Sequence, residues 1–105
     1  MNIEWVIKKF ELLTPDELYA ILQLRNEVFV VEQNCVFQDA DNKDQFSTHL
    51  MGWQDNTLIA YTRLVPPGKA YPEPSIGRVV TAKSVRNKGA GKLLMERSIS
   101  EIENV

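Results

Sequence analysis

The stretch from Val79 to Lys92 constrains this chain most, because a run of β-branched residues passes there through a glycine-bearing turn into a helical repeat. Ser75 to Thr81 has the composition of a strand. From Gly91 onward, Leu94, Met95, Ile99 and Ile102 recur at helical spacing. Where a strand feeds a helix, the first helical N–H groups have no internal partners, and the helix dipole adds partial positive charge. Gly89 and Gly91 lack Cβ atoms, so an anion can approach that backbone closely. Arg86, Lys88 and Lys92 supply full positive charges around it. A lone Gly-x-Gly would more simply be a turn that starts a helix. The arginine three residues earlier and the strand in front of it favour a cradle for a diphosphate.

Two better-known glycine motifs do not fit. A P-loop needs a glycine where Arg86 stands, and Ser or Thr where Leu93 follows Lys92. A dinucleotide fingerprint needs a small residue at Leu94. Charge distribution agrees with a small anionic ligand. Residues 1 to 57 carry ten acidic and four basic side chains, whereas residues 78 to 97 carry six basic ones and Glu96 alone as an acid. A local positive field in a chain of net charge −2 suits a small anion better than a nucleic acid.

The 105 residues read as one domain, 1–105, without repeats, low-complexity tracts or linkers. Residues 4 to 12 read as a strand. Thr14-Pro15-Asp16-Glu17 reads as a capping box with proline at the first helical position, opening a helix of about four turns that carries Leu18, Ile21, Leu22, Val28 and Phe29. Glu32 to Asp41 reads as a long polar loop. Strands at 49–54 and 57–64 flank Asp55-Asn56, a pair suited to a tight hairpin turn. The proline-rich segment 65–74 must be a loop. No apolar run approaches the ~18 residues of a membrane span, and the N-terminus has no signal-peptide pattern. Cys35 is the only cysteine, which suits a reducing cytoplasm.

Few side chains suggest catalysis. His49, the one histidine, is a candidate base, although a lone histidine at a strand start is more often structural. Glu32, Asp39 and Asp41 are candidate carboxylates for a cationic amine, against the plainer reading of solvated loop acids. One His, one Cys and scattered acids give no metal-ligand spacing, so no metal is expected. Trp5 and Trp53 read as core or sheet-face residues, and strand parity leaves the facing of Arg63 open.

Arg86-x-x-Gly89-x-Gly91 after a strand resembles the acetyl-CoA signature of the GNAT N-acetyltransferases. Leu24-Arg25, Val28 to Cys35, Asp39 and Asp41, His49, Gly52-Trp53 and Ile76 to Val80 also resemble, in order, the pattern of the ElaA-like subfamily. The resemblance implies an α/β (α+β) fold, with a mixed, mainly antiparallel sheet flanked by helices. It further implies that acetyl-CoA is the co-substrate, bound between splayed fourth and fifth strands. Backbone at Val79, Val80 and Thr81 would then meet the pantetheine and thioester. The pyrophosphate would rest on Arg86, Asn87, Lys88, Gly89, Ala90 and Gly91, with Lys92 nearby. The acceptor would be a primary amine on a small molecule or peptide. Family domains continue past the cofactor helix, whereas this sequence ends at Val105. A missing C-terminal part, an open fourth-strand edge prone to self-association, and poor turnover are therefore expected. The alternative is a non-catalytic CoA-binding or assembly module derived from such an enzyme.

Overall fold

The computed structural model describes residues 2–34 and 38–105, so Cys35 lies outside the described residues. Four strands form one antiparallel sheet in sequence order: β1 (Glu4–Lys9), β2 (Thr48–Gln54), β3 (Thr57–Val65) and β4 (Ser75–Thr81). Helix α1 (Pro15–Arg25) continues as a π-helical segment, Asn26–Glu32, and α2 (Ala90–Glu101) follows β4.

The first strand is shorter than residues 4–12, because Phe10–Leu12 form a 3-10 turn closed by Leu13 N–H to the Phe10 carbonyl at 3.1 Å. That turn carries the chain off the sheet and into α1. The capping box forms as expected: Thr14 Oγ1 accepts from Glu17 N–H at 3.1 Å, and Glu17 Oε1 accepts from Thr14 N–H at 2.8 Å. At the far end, the loop expected from Glu32 begins one residue late. Glu32 is the last residue of the π-helical segment, whose wider turn is marked by Gln33 N–H to the Val28 carbonyl at 3.0 Å. The Asp55-Asn56 turn has both residues left-handed, φ 49° and 64°, the geometry of a two-residue hairpin.

Each sheet face buries its own core. Ile21, Leu24 and Val28 of the α1 side pack with Met51, Leu58, Tyr61 and Val80. Leu50, Ile59, Ala60, Val85, Ala90 and Leu94 pack together under α2 on the other face. A bulge at Gly52/Trp53 lets adjacent Ile59 and Ala60 both enter this second core. Buried Thr62 and Ser98 bond at 2.9 Å, pinning β3 to α2. Trp5 and Trp53 are partly buried against these cores, and the Trp5 ring lies over Gly52.

A second bulge lies in β4. Tyr61 pairs with Val80 and Arg63 with Gly77, so Arg78 and Val79 together oppose Thr62. Arg78 takes a left-handed φ of 50°, uncommon for a non-glycine residue, and Val79 turns out to 41% exposure. The bulge therefore sits within the strand that leads to the glycine turn.

Gly52 is required by crowding. A Cβ there would lie 2.8 Å from the Trp5 ring and 3.1 Å from Ala60 and Ile3. Gly52→Ala is expected to destabilise the fold by about 1–3 kcal/mol. Thermal unfolding should show a drop in Tm on the order of 10 °C, and an unchanged Tm would contradict the packing described.

Candidate functional site

Two polar assemblies border β4. The first is a closed ring of alternating charges. Asp44 Oδ1 accepts from Arg25 Nη1 at 2.8 Å and Arg63 Nη1 at 3.0 Å. Asp41 accepts from Arg63 Nη1 and Nη2 at 2.8 and 2.9 Å, and from Arg78 Nη2 at 3.2 Å. Asp39 accepts from Arg78 Nε and Arg25 Nε, both at 2.9 Å. The Asp39 carbonyl accepts from Arg25 Nη2 at 3.0 Å and Arg78 Nη2 at 2.9 Å. Each aspartate thus bridges a different pair of arginines. Arg25 is wholly buried and Arg63 is 4% exposed.

Buried charges persist only when paired and hydrogen-bonded, and the ring pairs every one of its charges, although the buried Arg63 Nε has no hydrogen-bond partner. Burial pulls the Asp41 carboxyl upward, but the Arg63 hydrogen bonds and charge outweigh it and hold it at about 2. Burial also acts on Asp44, where Arg25 and then Arg63 bring the net shift below the usual carboxylate range.

His49 lies against this ring, fully buried. Its Nε2 faces the Asp44 carbonyl at 2.9 Å, which can only accept, so Nε2 carries the proton. Nδ1 then accepts from the Tyr61 hydroxyl at 2.6 Å. Burial lowers the imidazole pKa and raises that of Tyr61. His49 is thus a neutral core group with both nitrogens engaged.

The second assembly is the turn after β4. Ala82 N–H extends the ladder to the Ile59 carbonyl at 2.8 Å, and Lys83–Val85 make one 3-10 turn. Asn87 and Gly89 take left-handed φ of 67° and 88°, which fold the chain back to start α2. The first bond of α2 outside its own ladder runs from Leu93 N–H to the Gly89 carbonyl at 3.2 Å, and no side chain caps the helix. The N–H groups of Ala90, Gly91 and Lys92 precede that bond, and of these three residues Gly91 and Lys92 are exposed. A Cβ at Gly91 would meet no protein atom within 4 Å. Asn87, Lys88, Gly89, Gly91 and Lys92 are exposed, whereas Ala90 is buried as the anchor of the turn. An uncapped 12-residue helix, an open approach and nearby basic groups have the chemistry that suits a small polyanion.

The structure brings together most residues singled out in the sequence, in unexpected combinations. Glu32 and Arg86 pair through Glu32 Oε1 and Arg86 Nη2 at 2.8 Å, with Arg86 Nη1 also on Glu32 Oε2. Arg86 Nη2 donates besides to the Thr81 carbonyl at 3.0 Å. Asp39 and Asp41 are ring members, not solvated loop acids, because three arginines distant in sequence converge on them. Asp44 was not singled out in the sequence, and Arg25 was named there only as part of the family resemblance, without an ionic role. Arg25 had left a signal: it shares the apolar α1 stripe with Ile21, Leu24 and Val28, and a cation there requires buried partners. Among the described residues, no group of three or more His, Cys, Asp or Glu side chains could hold a metal ion.

An antiparallel sheet whose bulged last strand feeds a glycine turn and a helix is the acyl-CoA N-acyltransferase fold. The profile of the Acetyltransferase (GNAT) family matches residues 13–104. An acyl-CoA N-acyltransferase from Pseudomonas aeruginosa superposes with a TM-score of 0.92 at 45% identity, over 98% of this chain and 72% of that one. Escherichia coli ElaA superposes equally well, TM-score 0.92, at 36% identity over 98% of this chain and 71% of the ElaA structure. By sequence, a UPF0039 protein of Synechocystis is 43% identical over all of this chain and 71% of its own length. ElaA is 38% identical over 92% of this chain, which spans 65% of ElaA. The chain belongs to the GNAT acetyltransferase family and stands within it beside ElaA.

The ring and His49 set a pH dependence. Because burial lowers the folded pKa of His49 below its ordinary 6.5, the unfolded chain binds the proton first. Stability is therefore expected to be complete above pH ~6.5 and to fall as pH drops below it. His49→Gln, which keeps an N–H for the Asp44 carbonyl, should flatten that segment in denaturant titrations. A second loss is expected as pH falls from the ordinary aspartate value of 3.8 toward about 2, where Asp41 protonates. Stability independent of pH across both windows would contradict these assignments.

Proposed function

We propose that this chain binds acetyl-CoA along β4 and at the α2 N-terminus, and transfers its acetyl group to a primary amine of a small molecule or peptide. The observation that carries this reading is the uncapped α2 N-terminus, open at Gly91 and joined to the bulged β4 by the turn 82–89. The first-turn N–H groups of the exposed Gly91 and Lys92 suit the pyrophosphate, with Lys88 and Arg86 adding charge. Asn87 and Gly89, both left-handed, shape the turn. Val79, Val80 and Thr81 lie on β4, whose outer edge has no strand partner among the described residues. Their backbone groups are the natural partners of the pantetheine amides.

Bound acetyl-CoA supplies an activated thioester, so the protein's task is chiefly to orient it and the amine. The amine must lose a proton, since its ordinary pKa is near ~10.4. His49 is buried with both nitrogens bonded, and Glu32 is held acidic by its Arg86 hydrogen bonds, so neither is well placed to take that proton. Water is the simplest acceptor. A backbone N–H of β4 can stabilise charge developing on the carbonyl oxygen.

The lone cysteine supports a cytoplasmic setting, and among the described residues no helix is long and apolar enough to cross a membrane. The open edge of β4 supports association with a further strand, which a second copy of the chain can supply.

CoA is expected to slow amide hydrogen exchange across residues 79–92, most at the α2 N-terminus. Arg86→Glu should weaken CoA binding by roughly ten- to a hundredfold, as loss of one or two charge-assisted bonds implies. Protection confined to other segments, or binding indifferent to the charge reversal, would overturn the assignment.

A further inference from the structure

Glu32 and Arg86 stand 54 residues apart, yet they meet through a two-pronged ion pair at the mouth of the glycine turn. Both side chains are about one-third exposed, 35% and 33%. A carboxylate offers a guanidinium two oxygens on one edge, the same geometry a phosphate offers. A diphosphate seated on the α2 N-terminus therefore competes with Glu32 for the same edge of Arg86. We propose that Glu32 is an internal stand-in for the cofactor's diphosphate: it occupies Arg86 while the site is empty and is displaced when the diphosphate arrives.

The proposal rests on the reading of the turn as the acetyl-CoA site, and gives Glu32 the role of competing counter-ion in place of base. Two features support the exchange. The Thr81 carbonyl holds Arg86 Nη2 at 3.0 Å, so the guanidinium stays beside the turn after Glu32 leaves. Glu32 ends the π-helical segment Asn26–Glu32, where one side chain can swing away without unravelling α1. The pairing lowers the Glu32 pKa and raises that of Arg86, so the pair keeps both charges fully formed. Displacement would also release the end of Asn26–Glu32, coupling cofactor binding to the α1 side of the sheet.

The test is calorimetry of CoA against wild type, Glu32→Gln, Glu32→Asp and Arg86→Gln, with melting temperatures confirming that each variant folds. Removing the competitor should tighten CoA binding about two- to fivefold, the worth of an exposed ion pair. Glu32→Asp keeps the charge but shortens the reach, so displacement predicts a similar gain for it. Arg86→Gln should bind CoA more weakly than wild type. A gain in Glu32→Gln alone would mean repulsion at a distance and would overturn the proposal, as would no gain or a loss in both. If wild type and all variants failed to bind CoA, the acetyl-CoA reading would fall and this inference with it. Binding that protects residues 86–91, with no effect of either Glu32 change, would sink the inference alone.

Discussion

The ring of Arg25, Asp44, Arg63, Asp41, Arg78 and Asp39 is the interaction on which the rest of this structure leans. It joins the end of α1, the segment before β2, strand β3 and the bulge of β4 in one closed circuit. Three guanidinium groups and three carboxylates cancel in charge, and each member has two opposite neighbours. Deleting any one would strand buried charge, at a cost of about 3–5 kcal/mol in comparable cases. A well-packed apolar substitute could match that stability, so the ring's distinctive contribution is geometric. It holds an irregular segment, 38–47, at a fixed height against the sheet. The capped His49 and Tyr61 extend the same polar island into the core.

The geometry matters because Arg78 belongs both to the ring and to the β4 bulge. A left-handed arginine within a strand is strained by roughly 1–2 kcal/mol, and its bonds to Asp39 and Asp41 offset that strain. The bulge in turn breaks the β3–β4 register and turns Val79 outward. Among the described residues β4 thus has an unpaired outer edge, a fixed bulge and a glycine turn beyond its end, the features on which the proposed alignment of a thioester rests. His49 and Glu32, among the described residues, are both engaged by partners, so neither is poised as a base.

The sequence made the local devices legible. Thr14-Pro15-Asp16-Glu17 reads as a capping box and forms one; Asp55-Asn56 reads as a hairpin turn and forms one. The Arg86 to Gly91 turn stands where the strand and helix patterns place it. Long-range pairings were not legible, because nothing local in Asp39, Asp41 or Asp44 says which distant arginine will meet it. The same blindness let Glu32 and His49 be weighed as bases, when one lies in an ion pair with Arg86 and the other inside the core. The helical repeat reached Val28 and Phe29 in the sequence, but nothing in it marked the widening of the turn from Asn26 to Glu32. The wide turn keeps Val28 buried, while Val31 is 71% exposed.

The most direct measurement is a crystal structure of this chain with CoA bound. The account predicts pyrophosphate oxygens within hydrogen-bond distance of N–H groups among Gly89 to Lys92, pantetheine along the open edge of β4, and an Arg86 guanidinium turned from Glu32 to phosphate. CoA lying away from β4 and α2, or a diphosphate at the turn with the Glu32–Arg86 pair intact, would contradict it.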